Sequence, residues 1–127
     1  MMERARQFSE GQYISLETYR RTGAPVRTTV WLVEDGGTIY VRTGPNSGKV
    51  KRIRHNPHVR LARTSLRGNI QGEWADGRAR FLGEEESGRL MALFRRKYGL
   101  QMRLVGWIAR VKRAKVVRQV FLAIDLA

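Results

Sequence analysis

The stretch Val26-Arg27-Thr28-Thr29-Val30-Trp31-Leu32-Val33-Glu34, followed by Asp35-Gly36-Gly37 and then Thr38-Ile39-Tyr40-Val41-Arg42-Thr43, decides the fold class. Both arms are rich in β-branched and aromatic residues, and the Asp-Gly-Gly between them is a tight-turn signal. Upstream, Tyr13 to Tyr19 has the same character and is joined to the first arm by the turn Arg21-Thr22-Gly23-Ala24-Pro25. Three strands therefore run as an antiparallel meander. Downstream, Gly44-Pro45-Asn46 breaks the sheet, Ser47 is a helix N-cap, and Val50 and Ile53 share a face before Asn56-Pro57, which predicts a short basic helix over 48–55. Val59 and Leu61 alternate with Arg60 in a fourth strand. Glu73 to Leu82 supplies a fifth, with Asp76-Gly77 inside the strand rather than forming a hairpin turn. A helix from Glu84 to Tyr98 has acids at its start, Arg95-Arg96-Lys97 in its last turn and Gly99 just past its end, so both ends complement the macrodipole. Leu104, Trp107, Ile108 and Val111 form a second apolar stripe on a basic segment, and Val116 to Leu126 closes the chain as a last strand. Residues 1–10 are expected to be a flexible N-terminus. The order implies one domain over 1–127, mainly β with peripheral α: an antiparallel barrel with helices packed outside it.

The 127 residues carry 25 Lys and Arg against 11 Asp and Glu, a formal net charge of +14, with no cysteine and two histidines. A chain of this length buries roughly 68% of the surface that its unfolded form exposes, so a packed core needs no staples. Without Cys there is no disulfide framework, thiolate nucleophile or Cys-ligated metal, and His55 and His58 alone cannot make a three-His metal site. No signal-peptide h-region opens the chain and no apolar run is long enough to span a bilayer, which leads to an expectation of a cytoplasmic protein. Between Asp35 and Glu73 there is no acid and eight bases: Arg42, Lys49, Lys51, Arg52, Arg54, Arg60, Arg63 and Arg67. Such a stretch attracts nucleic acid, an anionic membrane or a polyanionic small molecule, and composition does not choose among them.

A serine-type triad fails on inventory, because neither histidine has a nearby upstream carboxylate and no G-x-S-x-G elbow occurs. Glu84-Glu85-Glu86 compensates a helix dipole rather than converging on a metal. No catalytic side chain and no metal ligand is expected. The segment Thr43-Gly44-Pro45-Asn46-Ser47-Gly48-Lys49-Val50-Lys51-Arg52 differs in kind. A Gly-containing turn entering a helix leaves free backbone N–H groups, Ser47 adds a hydroxyl, and Lys49 and Arg52 add charge, so the segment suits phosphate as well as a merely solvated basic helix. It is not a Walker A loop, since Val50 stands where Ser or Thr would follow the lysine.

Taken together, Tyr13-Ile14-Ser15-Leu16, Gly23-Ala24-Pro25-Val26-Arg27-Thr28-Thr29-Val30-Trp31, Thr43, Ser47-Gly48-Lys49-Val50-Lys51-Arg52-Ile53-Arg54, Asn56-Pro57-His58-Val59 and Arg96-Lys97-Tyr98-Gly99 resemble the pyridoxamine-phosphate-oxidase-like flavin and deazaflavin oxidoreductases. The resemblance covers the chain from about Gly11 to Leu126 and is nearest to the small subfamily of F420-dependent oxidoreductases. It implies an FMN-binding-type split β-barrel, an antiparallel Greek-key barrel with two or three helices. It further implies a homodimer with coenzyme F420, or alternatively FMN, in a groove between two barrels. By position, Ser47, Gly48 and Lys49 would contact phosphate, Arg52 would support it, and Thr28, Thr29, Val30, Trp31 and Thr43 would line the ring and linker. Apolar strand residues beyond what one small barrel hides agree with a dimer.

The chemistry so implied is hydride transfer between the ring and a small electron-poor substrate. Bases beyond those that one FMN phosphate requires tilt the expectation toward F420, whose phosphodiester and acidic tail are a longer polyanion. A nucleic-acid-binding module without catalysis is a rival on charge alone, weakened by the lack of an RNP-type aromatic pair or helix-turn-helix signature. Peripheral membrane contact through Gln101 to Lys115 would add to the enzyme reading rather than replace it.

Overall fold

The computed structural model describes residues 2–9, 11–45, 47–99 and 120–127. The basic stripe around Leu104 to Val111, and residues 116–119 of the expected last strand, lie outside the described residues. In chain order the elements are α1 (Met2–Ser9), β1 (Tyr13–Tyr19), β2 (Pro25–Asp35), β3 (Thr38–Thr43), α2 (Gly48–His55), β4 (His58–Thr64), β5 (Ala75–Phe81), a single 3-10 turn at Glu84–Glu86, α3 (Ser87–Tyr98) and β6 (Val120–Leu126). The strands close in the order β1-β2-β3-β6-β5-β4, every pair antiparallel.

Alternation explains the two cores. Inward-facing Ile14, Leu16, Val30, Leu32, Ile39, Val41, Leu61, Leu122 and Ile124 fill the barrel. Outward-facing Val33, Tyr40, Phe121 and Ala123 meet Leu90, Phe94 and Tyr98 of α3, so this part of the sheet is apolar on both faces. The β2–β3 hairpin turns through Gly36 and Gly37 at φ 60° and 91°, the left-handed pair that a two-residue turn demands. Gly77 has a different reason to be glycine. It pairs with Val59 on one side and Leu126 on the other, and a Cβ there would stand 2.8 Å from Ile124 Cγ2. Asp76-Gly77 is therefore mid-strand at a close approach of backbones, not a turn.

Two findings depart from expectation. Residues 2–9 are a helix rather than a flexible lead-in, and fully buried Ala5 and Phe8 belong to the barrel core. Tertiary burial of one aromatic outweighs the weak local signal of MERARQFS. The second departure is that the acids at 84–86 form a 3-10 turn, and α3 proper begins at Ser87.

Candidate functional site

Strand β2 has two unequal halves. Leu32 to Asp35 pair with Val41 to Thr38 of β3, whereas Pro25 to Trp31 pair only with β1. Past Val41, β3 stays with β6, through Arg42↔Phe121 and Thr43↔Val120. The barrel is thus split between the first half of β2 and the end of β3, and among the described residues that edge of β2 has no strand partner.

Helix α2 starts beside the end of β3 and packs against β1. Its N-cap Ser47 has extended backbone, and its Oγ accepts from Val50 N–H at 3.3 Å and meets Thr43 Oγ1 at 3.2 Å, which ties the helix start to β3. Farther along, Arg52 Nε donates to Thr18 Oγ1 at 2.6 Å, and Thr18 is paired with Val26 of β2. Val50 and Ile53 bury the inner face of α2. The Ser47 cap satisfies one of the helix's orphan donors, and the N–H groups of Gly48 and Lys49 lie before any carbonyl of the helix can reach them. No acid lies in the first turn.

The charge here is uncompensated. Burial, and then the nearby Arg52, hold the Lys49 amine below its ordinary value; burial, and then Arg20, do the same to Arg52. The Arg52 side chain folds back over the helix start, so that a Cβ on Gly48 would stand 2.7 Å from Arg52 Nη1. Gly48 thus leaves room for a guanidinium beside the free N–H groups. Helix dipole, two N–H donors, one hydroxyl and the neighbouring cations Lys49 and Arg52 are the groups that an oxyanion could engage, and a negative charge would relieve the repulsion between the cations.

Of the expected site residues, Thr43, Ser47, Gly48, Lys49 and Arg52 come together. Thr28 and Val30 lie on the inward face of β2, and the Thr28 Oγ1 hydroxyl is buried with no hydrogen-bond partner. Thr29 and Trp31 lie on the opposite face of the same strand. Trp31 stacks on Tyr98, ring centroids 4.5 Å apart and 8° from parallel, beneath α3. Sequence reasoning missed Thr18 and Arg20. Arg20 directly follows a strand and carries no local signal for joining a helix 30 residues away.

The hydrogen-bonding role of Tyr98 also was not foreseen. Its hydroxyl accepts from Leu32 N–H at 2.9 Å and faces the carbonyls of Leu32 and Gln12 at 2.7 Å each. Tyr13↔Trp31 is the last β1–β2 rung, and the phenol stands where the next one would form. Burial pushes its pKa up to about 12, so it stays a donor at neutral pH.

This architecture, a six-stranded antiparallel barrel in which half of β2 lacks a β3 partner, is that of a split-barrel protein. The family model for pyridoxamine 5'-phosphate oxidase matches residues 1–123, and the chain belongs to that family. No curated protein matches it. Among solved structures, the chain is similar to an FAD-binding protein from Mesorhizobium loti (14% identity, 98% of this chain and 85% of that one, TM-score 0.65). An F420 reductase matches at 14% identity over 95% of this chain and 91% of that one, with a TM-score of 0.59. The heme storage protein HutZ from Vibrio cholerae matches at 13% identity over 98% and 87%, with a TM-score of 0.70. Identities this low speak to the fold alone. No described helix is long and apolar enough to cross a membrane, and no group of metal-ligating side chains occurs among the described residues.

Proposed function

We propose that this protein is a cytoplasmic oxidoreductase that uses coenzyme F420, with FMN as the alternative cofactor, to transfer a hydride to or from a small electron-poor organic substrate. The observation that carries the reading is the anion site of Ser47, Gly48, Lys49 and Arg52 at the head of the split in the barrel. The chain's residues fit such a cofactor. Backbone N–H groups of Gly48 and Lys49, the Ser47 hydroxyl and the Lys49 amine would hold its phosphate, while Arg52, braced by Thr18, would support it. The orphaned Thr28 hydroxyl offers a polar group to the ring, since leaving it buried and unpaired costs about 1–3 kcal/mol, and the unpaired edge of β2 offers backbone groups beside it.

The bound cofactor supplies the hydride chemistry. The chain's own contribution is to bind, orient and exclude water. No protein nucleophile is required for this role, which agrees with the triad-free inventory, and the proton that accompanies the hydride can be exchanged with solvent. The tilt to F420 rests on charge: the acid-free segment that carries Lys49 also carries Lys51, Arg52, Arg54, Arg60, Arg63 and Arg67, more bases than one phosphate monoester engages and suited to a longer polyanion, although Arg54 lies over Phe81 and Arg60 is paired with Glu17 and Asp76.

The proposal includes a homodimer with the cofactor between two barrels. Sedimentation at low micromolar concentration is expected to show two subunits, and a monomer that binds cofactor would overturn that part. Titration of the purified protein with F420 and with FMN at low and high salt tests the cofactor choice. F420 is expected to bind more tightly, with the advantage shrinking as salt screens the tail over a Debye length of about 8 Å. Yellow protein holding stoichiometric FMN, or tighter FMN binding in both buffers, would reverse the choice.

A further inference from the structure

Between β4 and β5 the chain makes a second, smaller hairpin that none of the above employs. Thr64 bridges to Ile70, Gln71 N–H donates to Arg63 C=O at 2.8 Å, and Gly68 N–H donates to Ser65 C=O at 2.9 Å, so that Leu66 and Arg67 occupy the two central positions of the turn. The turn is rigid. Ser65 N–H donates to Asn69 C=O at 3.0 Å, Asn69 N–H donates to Ser65 Oγ at 3.1 Å, Thr64 Oγ1 donates to Asn69 C=O at 3.1 Å, and Gly68 supplies the φ of 89° that the geometry requires.

This hydrogen-bonded hairpin exposes two large apolar side chains among its polar ones. Leu66 is 68% exposed and Ile70 40%; the third exposed large apolar residue, Phe81, lies elsewhere, under the Arg54 guanidinium. Its charge is one-sided. Arg67 is exposed, and the Arg63 Nε is buried without a hydrogen-bond partner while its stem lies between Gly11 and Gly72. Neither cation is in an ion pair with an acid among the described residues. The hairpin also reaches the split side of the barrel: a Cβ on Gly68 would stand 4.0 Å from Thr29 Oγ1, on the half of β2 that lacks a β3 partner.

A pre-ordered apolar contact beside an unpaired cation, at the edge of the candidate groove, is the pattern that binds an amphiphilic anion at low entropic cost. We propose that the hairpin of residues 63–71 is the substrate-selecting wall of the groove. Its ligand is an apolar, ring-bearing organic molecule carrying an acidic group, with the apolar body on Leu66 and Ile70 and the anion on Arg67. The assignment of that ligand as the substrate rests on the oxidoreductase reading. Two apolar side chains are a small area for holding a bilayer, which favours a small molecule over a lipid surface.

Two fluorescent probes of the same ring system, anilinonaphthalene sulfonate and its uncharged analogue N-phenylnaphthylamine, test this on the purified protein. Leu66→Ser is expected to weaken both probes by roughly tenfold, the loss of about one good apolar contact. Arg67→Gln is expected to weaken the sulfonate by roughly threefold to tenfold and to leave the neutral probe unchanged. Lys49→Ala is expected to leave both within about twofold, which separates the hairpin from the phosphate site. If F420 and FMN both fail to bind while the probes behave in this way, the oxidoreductase reading falls and the hairpin site stands. Ile70→Thr serves as a second variant should Leu66→Ser fold poorly. Unchanged probe affinity in the hairpin variants would overturn the proposal. So would a sulfonate loss as large in Lys49→Ala as in Arg67→Gln, loss of dimer in Leu66→Ser, or tight binding of anionic phosphatidylglycerol vesicles that Leu66→Ser abolishes.

Discussion

The two halves of β2 differ in one respect from which the rest follows. From Leu32 to Asp35 the strand is paired with β3, covered on one face by the barrel core and on the other by α3. From Pro25 to Trp31 it keeps β1 and loses β3, while the end of β3 leads into a helix whose start carries unpaired N–H groups and cations. One half satisfies its polar groups internally. The other holds polar capacity in reserve, in the Thr28 hydroxyl and the start of α2. If the proposed cofactor binds at the split, stability and binding are allotted to different halves of a single strand, and a substitution in one should leave the other's property nearly intact.

The largest expected effect falls on the closed half. Tyr98→Phe removes the hydroxyl that completes the β1–β2 ladder, leaving the Leu32 N–H and nearby carbonyls unpaired in the interior. Unfolding in denaturant should show a loss of about 2–4 kcal/mol, with phosphate or cofactor affinity near wild type for the molecules that remain folded. A drop in affinity without a drop in stability would break the division between the halves.

Next is Lys49→Ala on the split half. A charge-assisted bond to phosphate is worth about 1.5–3 kcal/mol, so cofactor affinity should fall by roughly 10- to 150-fold in a titration. Melting temperature should rise slightly or hold, because a desolvated cation crowded by Arg52 is removed.

How much of this contrast the sequence carried depends on how local each cause is. The hairpin through Gly36-Gly37, the N-cap at Ser47 and the alternation that places Thr28 and Val30 on one face are consequences of neighbouring residues, and all were legible. Tyr98 read as one more apolar position on a helix face; its bond to Leu32 spans 66 residues, and no period or spacing announces it. Arg52 read as a phosphate support, and its fold-back over Gly48 depends on a side-chain conformation that only packing fixes. The N-terminal helix was missed because one buried Phe among polar residues is a tertiary signal rather than a periodic one.

A subtler way to sharpen the comparison is Thr28→Val, which keeps shape and deletes the orphaned hydroxyl. Stability without ligand should hold or rise by up to about 1 kcal/mol, and cofactor affinity should fall by roughly fivefold as one hydrogen bond is lost. Equal affinity would mean that the hydroxyl is not reserved for the ligand.

Lys97→Met is the smallest test and returns to the α3 side. The buried Lys97 Nζ lacks a hydrogen-bond partner, and burial holds its pKa down to about 8, against an ordinary 10.5, although Glu34 pulls the other way. Between pH 8 and 10.5 the unfolded chain binds more protons than the folded one, so wild-type stability rises with pH across that window. The methionine variant should be the more stable below pH 8 and lose its advantage toward pH 10.5; denaturant midpoints across that range read the difference. A gain independent of pH would assign it to packing alone.

The central claim is that anions enter at the head of the split, and backbone amide shifts under titration with FMN test it residue by residue. The account predicts the largest shifts at Gly48 and Lys49, with smaller ones from Val26 to Trp31 and little change from Val33 to Asp35. Shifts concentrated on Val33 to Asp35 and α3, with Gly48 and Lys49 unmoved at saturation, would contradict it.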